Sequence, residues 1–247
     1  MKAEDLIKRK YPPKILLYGG AGTSKTALFS QAQNAYLMDF DGGMLTCTHD
    51  FDKFAPLRKD IEFDIYKEEN PRQPSGWLKA KAKLIDIMTK CSKGQWEYDC
   101  LVVDSLSGLA EVAQNQIMFQ CGKAMGKPEI REWGLIVAEV ENAIAIIKSL
   151  PCLVLVTAHE LPIQTAEGIS IMKILAPGTK LPAKIPTWFD EVWYAKTKVR
   201  GGNRTSYFVS GRKTSAIEAR TRSGMNKDFD HTECGLEGVL KEIGYDR

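Results

Sequence analysis

Residues Gly19-Gly20-Ala21-Gly22-Thr23-Ser24-Lys25-Thr26 stand directly after the apolar run Lys14–Tyr18 and directly before a segment that opens a helix. A strand that turns through small residues into a helix can curl its backbone N–H groups around a single point. A phosphate suits such a turn, and the helix N-terminus adds unsatisfied donors and a dipole. The spacing fits GxxxxGK[ST], except that Ser24 occupies the place of the last glycine. In this pattern Lys25 is expected to reach the β- and γ-phosphates, and the Thr26 hydroxyl to take a Mg2+ position. Gly19, Gly20, Ala21, Gly22, Thr23, Ser24, Lys25, Thr26 and Ala27 are therefore the expected nucleotide-binding residues, with ATP and Mg2+ as cofactors. Ser24 places a side chain where backbone passes close to phosphate, so binding is a firmer expectation than fast turnover.

Outward from this loop, short apolar or β-branched runs recur at Lys14–Tyr18, Ala35–Phe40, Glu62–Tyr66, Cys100–Asp104 and Cys152–Thr157. Helical spacing lies between most of them. Leu106, Leu109, Ala113 and Ile117 share one helical face, as do Trp133, Ile136, Val140, Ile144 and Ile147. The unbroken apolar character of Leu101-Val102-Val103 and of Cys152–Val156 suits strands covered on both sides. The expected fold is α/β: a central, mostly parallel sheet flanked by helices. Asp104 ends its apolar run where a strand meets the mouth of such a sheet, and about 80 residues after the loop it is the expected Mg2+ carboxylate. Ser105 follows it, so no adjacent acid can activate water, and the base must come from elsewhere. Tyr36-Leu37-Met38-Asp39-Phe40-Asp41-Gly42-Gly43 supplies one: its strand should lie beside that of Asp104 and deliver Asp41 to the same edge, where a carboxylate can orient the attacking water. The alternative is that Asp39 and Asp41 only begin an acidic turn. His159, at the end of Val156-Thr157-Ala158-His159-Glu160, could sense the γ-phosphate from the next strand or be an ordinary surface histidine.

The 247 residues are 44% hydrophobic and 26% charged, as in an ordinary globular protein, and carry a formal charge of +3. That charge is too small to imply nucleic-acid binding, but it is unevenly placed. Lys196, Lys198, Arg200, Arg204, Arg212, Lys213, Arg220, Arg222 and Lys227 face a single acid, Glu218, between residues 196 and 227. They form either a phosphate-attracting face or a solvated strand pair. Glu191–Lys198 and Ser206–Arg212 flank the turn-rich Arg200-Gly201-Gly202-Asn203 and predict a C-terminal β-hairpin extending the sheet edge. One domain is expected: an N-terminal segment (1–13), a core (14–190), and a hairpin with C-terminal extension (191–247). The six cysteines show no close pairing and predict reduced thiols in a cytoplasmic setting. No stretch approaches the ~18 apolar residues that span a bilayer, so no membrane partner is expected.

Together, GGAGTSKT, MDFDGG, YDCLVVDSLSGL, LVTAHE and LPAKIPTWFDEVWYAKT resemble the phage-encoded AAA-domain ATPases that are core-only relatives of RecA, the group that includes Sak-type single-strand annealing proteins. The match runs from about Lys14 to about Gly224, and its most specific parts are the MDFDGG and IPTWFDEVWY segments. The resemblance implies a RecA-like P-loop NTPase fold and Mg-dependent ATP hydrolysis in a ring or filament of identical subunits, and the departures from the family pattern, serine for glycine at 24 and aspartate for glutamate at 41, predict slow turnover. It implies action on single-stranded DNA in phage recombination, by annealing or strand pairing, with a single-strand-binding protein as a possible further partner. In that pattern Asp41 takes the place of the catalytic carboxylate, usually Glu, and His159 that of the polar sensor. Two segments, about Gln120–Arg131 and Leu161–Lys184, would line the bore and hold DNA through Lys123, Lys127, Arg131, Lys173, Lys180 and Lys184. Arg220 and Arg222 are the candidates for a basic finger supplied to a neighbouring subunit. The rival is a nucleotide-dependent switch or loader that acts on a replication protein without pairing DNA.

Overall fold

The computed structural model describes residues 12–48, 60–165, 168–200 and 204–245. Within them the strands are β1 (Lys14–Gly19), β2 (Ala35–Asp39), β3 (Glu62–Ile65), β4 (Cys100–Asp104), β5 (Leu153–Gln164), β6 (Ser170–Ile174), β7 (Glu191–Arg200), β8 (Arg204–Ser210) and β9 (Asp228–Asp230). The helices are α1 (Lys25–Phe29), α2 (Gly76–Ser92), α3 (Leu106–Gln120), α4 (Ile130–Ser149), α5 (Leu181–Trp188) and α6 (Gly235–Glu242).

The strands run in the order β3-β2-β4-β5-β1-β7-β8-β9, with β6 paired to β5 outside that row. From β3 to β7 all neighbours are parallel; β7–β8, β8–β9 and β5–β6 are antiparallel. The expected α/β fold, with a mostly parallel central sheet and flanking helices, is therefore present. Its central strands are apolar along their length because helices cover both faces. Tyr18, Leu16, Val103 and Val154 pack with Leu109, Val140 and Ile144 on one side. Ile15, Leu17, Val102 and Leu155 pack with Leu28, Phe29 and Val239 on the other. Leu16, Leu17, Val102 and Leu155 are no more than 1% exposed, and burying such side chains stabilises by about 1.5–3 kcal/mol each.

Both predicted helical faces lie against the sheet, except that Trp133 is only half buried. β5 is longer than its apolar run predicts: it continues through His159 to Gln164 and folds back on β6. The segment Leu161–Lys184, expected as a bore-facing loop, is thus mainly a β-hairpin followed by the start of α5. Of its turn, residues 166 and 167 lie outside the described residues. β7 pairs with β1 on one side and with β8 on the other, so the predicted hairpin does extend the sheet beyond β1, and β9 adds one further strand to it. Its turn residues Gly201, Gly202 and Asn203 lie outside the described residues.

The basic stretch of residues 196–227 is not an unopposed positive face. Its acids come from beyond the stretch: Lys196 and Lys198 pair with Asp228 at 2.6 and 3.8 Å, Arg200 with Asp230 at 2.5 Å, Lys227 with Glu242 at 2.7 Å and Arg222 with Asp190 at 2.7 Å. All six cysteines are free thiols. Among the described residues no helix is long and apolar enough to cross a membrane.

Candidate active site

The parallel register carries the C-terminal ends of β1, β2, β4 and β5 to one edge. Gly19 stands beside His159, and Asp39 beside Asp104. Ligands of open α/β sheets bind at this edge.

The turn after β1 is built for close approach. A Cβ at Gly19 would lie 2.6 Å from the Ala195 carbonyl of β7, and one at Gly20 would lie 3.0 Å from Glu160 Oε1. Thr23 Oγ1 donates to the Gly20 carbonyl at 2.8 Å and closes the turn. Lys25 is buried, and its Nζ donates to the carbonyls of Gly19 (2.9 Å) and Gly20 (2.7 Å). Burial lowers its pKa, while Asp104, Glu160 and Asp41 pull the other way. Such an ammonium, held by two loop carbonyls and short of solvent, suits a polyphosphate. Helix α1 has only five residues, so its dipole is smaller than the sequence suggests, and the loop amides supply most of the anion affinity.

Asp104 is 2% exposed. Its two oxygens accept from Thr26 Oγ1 at 2.8 Å and from the Thr157 hydroxyl. Burial raises its pKa, the hydrogen bonds from Thr157 and Thr26 oppose the rise, and Asp41 and Asp39 add to it. A hydroxyl and a buried carboxylate side by side are hard oxygen donors of the kind that would hold Mg2+ next to phosphate oxygens. The backbone comes close here as well, since a Cβ at Gly43 would stand 2.9 Å from Asp104 Oδ2 and 3.3 Å from Thr26 Oγ1.

A carboxyl whose pKa rises on folding favours the fold only while protonated. Its contribution is lost as pH climbs from the ordinary carboxylate range through the raised value. At neutral pH the ionised Asp104 therefore costs stability until a cation compensates it. We expect Asp104→Asn to raise the melting temperature of the nucleotide-free protein while weakening the Mg2+ dependence of nucleotide binding. A gain of about 1 kcal/mol corresponds to roughly 2–4 °C at this chain length. Calorimetry with and without Mg2+ checks both, and a lower melting point in the mutant contradicts the assignment.

The two acids of the β2 end have separate tasks. Asp39 is fully buried and accepts from the backbone N–H groups of Asp41 (3.1 Å), Gly42 (2.7 Å), Gly43 (3.1 Å) and Met44 (3.2 Å). It builds the acidic turn. Asp41 is left to face the site, where its Oδ2 lies 2.9 Å from His159 Nε2. Burial would raise the Asp41 pKa, but hydrogen bonds from His159 and Ser105 and the charges of His159 and Lys25 outweigh it and hold the carboxyl below its usual range. Asp41 is thus an anionic acceptor and a weak base, which suits orienting water more than removing its proton outright.

Gly108, in the first turn of α3, makes room for this carboxylate. A Cβ there would collide with Asp41 Oδ1 and lie 2.9 Å from Phe40 Cβ. Gly108→Ala is expected to keep nucleotide affinity but slow hydrolysis by up to about 10²-fold, since a displacement near 1 Å is enough. Steady-state phosphate release set against a nucleotide titration checks this; unaltered turnover would remove Asp41 from the mechanism.

The structure therefore gathers Gly19–Ala27, Asp41, Asp104 and His159 at one edge. It does not gather the other candidates there. Arg220 donates to the carbonyls of Pro186 (3.3 Å) and Thr187 (2.8 Å), and Arg222 pairs with Asp190, which sits beside Lys14 at the far end of β1. Lys123 is paired with Glu129 and Glu132, and Lys184 with Glu141. Lys127 and Arg131 are exposed near the start of α4, Lys173 lies on β6 opposite Leu161, and Lys180 caps α5. Sequence reasoning missed Thr157, whose signal was a hydroxyl in an otherwise apolar strand. It also missed Asp39 as the organiser of the turn, and Glu160, whose Oε2 accepts from Tyr194 Oη at 2.8 Å beside Gly20.

Curated proteins give no match to the chain. Among solved structures, a prototypical ATPase from the type III secretion system of pathogenic bacteria is similar over 88% of this chain at 13% identity, with a TM-score of 0.49. This chain covers 60% of that one. A family model described as an AAA domain matches residues 11–223, nearly the whole of the core and hairpin, and the chain belongs to that family.

Proposed function

We propose that this protein is a Mg-dependent ATP hydrolase that passes its nucleotide state to single-stranded DNA. The AAA domain family implies nucleotide binding. The observation that carries the hydrolytic part is the convergence of Lys25, Thr26, Asp104 and the Asp41–His159 pair at one sheet edge. Thr26 and Asp104 would hold Mg2+, which when bound neutralises the β- and γ-phosphate oxygens. Lys25 moves its ammonium from the loop carbonyls to those oxygens. Asp41 aligns a water with the γ-phosphorus, and His159 fixes the carboxylate. The water oxygen bonds to phosphorus as the bond to the bridging oxygen breaks, leaving ADP and phosphate.

The DNA part is supported by the resemblance to RecA-like annealing proteins and by connectivity. His159 contacts Asp41, and β5 runs straight on from it into the β5–β6 hairpin that carries Lys173. A change at the γ-phosphate can therefore tilt the hairpin. The rival, a switch or loader acting on a replication protein, is favoured by the ion pairs that occupy Lys196, Lys198 and Arg200 of β7 and Lys123 and Lys184.

Single-stranded DNA affinity measured across a salt series separates the two. The DNA reading expects a linear log–log dependence that loses about 0.7 of slope for each phosphate contact removed, with Lys173, Lys180 and Lys184 replaced by Ala. Absence of affinity at low salt, with and without ATP, leaves the switch.

A further inference from the structure

Ser24 presents a problem that its neighbours solve. Its backbone sits at φ 68°, ψ 17°, in the left-handed region that glycine ordinarily fills. A side chain at this point of a phosphate loop must go somewhere, and here it goes toward the C-terminal segment. Ser24 Oγ lies 3.4 Å from Nε2 of His231, the residue that follows β9. His231 is 1% exposed, and its Nδ1 has no hydrogen-bond partner among the described residues. Its segment is docked on the loop's own helix, with Leu236 N donating to Gln31 Oε1 at 2.8 Å and Leu236 and Val239 packing with Leu28 and Phe29. These residues lie beyond the 11–223 match to the family model.

We infer that His231 is a positioning residue of the nucleotide site, holding the Ser24 hydroxyl out of the phosphate cradle so that serine can stand where glycine is the usual residue. This rests on the assignment of residues 19–27 as the phosphate loop. The unpartnered Nδ1 identifies the tautomer. An unmet lone pair costs less than an unmet buried N–H, so the proton resides on Nε2 and is donated to Ser24 Oγ. Burial holds the His231 pKa down at about 4, against the pull of Asp230, and so the ring is neutral. The contact anchors Ser24 on its outer side. Its backbone N–H and that of Lys25 then keep their aim at the phosphates, and Ser24 Cβ cannot rotate its hydroxyl into their place.

The test is a double-mutant cycle in the full chain, read by titration with Mg-ADP and by thermal melting without nucleotide. His231→Ala is expected to weaken Mg-ADP affinity roughly three- to tenfold, the worth of one lost hydrogen bond. His231→Gln, which keeps an N–H donor near the Nε2 position, should restore most of it. In a Ser24→Gly background His231→Ala should cost nothing further, because no side chain remains to be held. His231→Asn, which leaves a shorter polar side chain in the site, replaces His231→Ala in the cycle if the latter does not fold. An equal loss from His231→Ala in the wild-type and Ser24→Gly backgrounds overturns the inference, since His231 would then only support the fold. Unchanged affinity in folded His231→Ala overturns it as well. Wild-type protein that binds no nucleotide overturns the phosphate-loop assignment itself, and the two failures are thereby distinguished.

Discussion

Replacing Lys25 with Ala is expected to abolish detectable ATP binding while leaving the fold in place. Among the described residues the ammonium is the one side-chain cation held over the loop, and it is already desolvated and bound to two carbonyl acceptors. Moving it from those acceptors to two phosphate oxygens costs little reorganisation. Hydrogen bonds to charged groups contribute about 1.5–3 kcal/mol each. Losing two therefore weakens binding by roughly 10²–10⁴-fold. The mutant also leaves Asp104, Glu160 and Asp41 without their shared cation, which further disfavours an incoming polyphosphate. Equilibrium titration with a fluorescent nucleotide, alongside a melting curve, measures both parts. Normal affinity in folded Lys25→Ala refutes the site.

Asp41→Asn separates binding from turnover. The amide keeps the size of the carboxylate and can still meet His159 through its carbonyl oxygen, so Mg-ATP affinity should stay near that of the wild type. What is lost is the anionic acceptor for the attacking water, and groups in this role are worth roughly 10²–10⁴-fold in rate. The depressed pKa of Asp41 gives this a pH signature. Its carboxyl stays ionised throughout the neutral and mildly acidic range, so wild-type hydrolysis should show no loss from this group until pH falls below the usual carboxylate range. Single-turnover rates between about pH 5 and 8 test this. Wild-type hydrolysis by Asp41→Asn would move the water-orienting role to another residue, with Glu160, beside Gly20 of the loop, the next candidate.

What the sequence made legible was local. GGAGTSKT, LVVD and MDFDGG each announce themselves within one strand and its turn, because small residues, an apolar run and a terminal acid are all the physics they need. Their convergence followed from parallel pairing alone, which puts every strand end on one edge. Other features depended on residues far apart in the chain. Five of the nine basic residues between 196 and 227 are paired with Asp190, Asp228, Asp230 and Glu242, all outside the window in which charges were counted. The β5–β6 hairpin was hidden by Pro162 and by its partial exposure, which blurs the alternation that marks a strand. His231 gave no signal at all, since a lone histidine near an acidic turn becomes meaningful only when α6 docks on α1.

The strand order also bears on the kinetics of folding. β1 (Lys14–Gly19) lies in the middle of the sheet, and its two neighbours are strands far along the sequence, beginning at Leu153 and Glu191. The phosphate cradle cannot be framed until both long-range pairings have formed, and such closures are slow. Nucleotide-binding competence should therefore appear late in refolding, after the α2–α4 helical signal, and the amides of β1 should be among the last to exchange with solvent in the native protein.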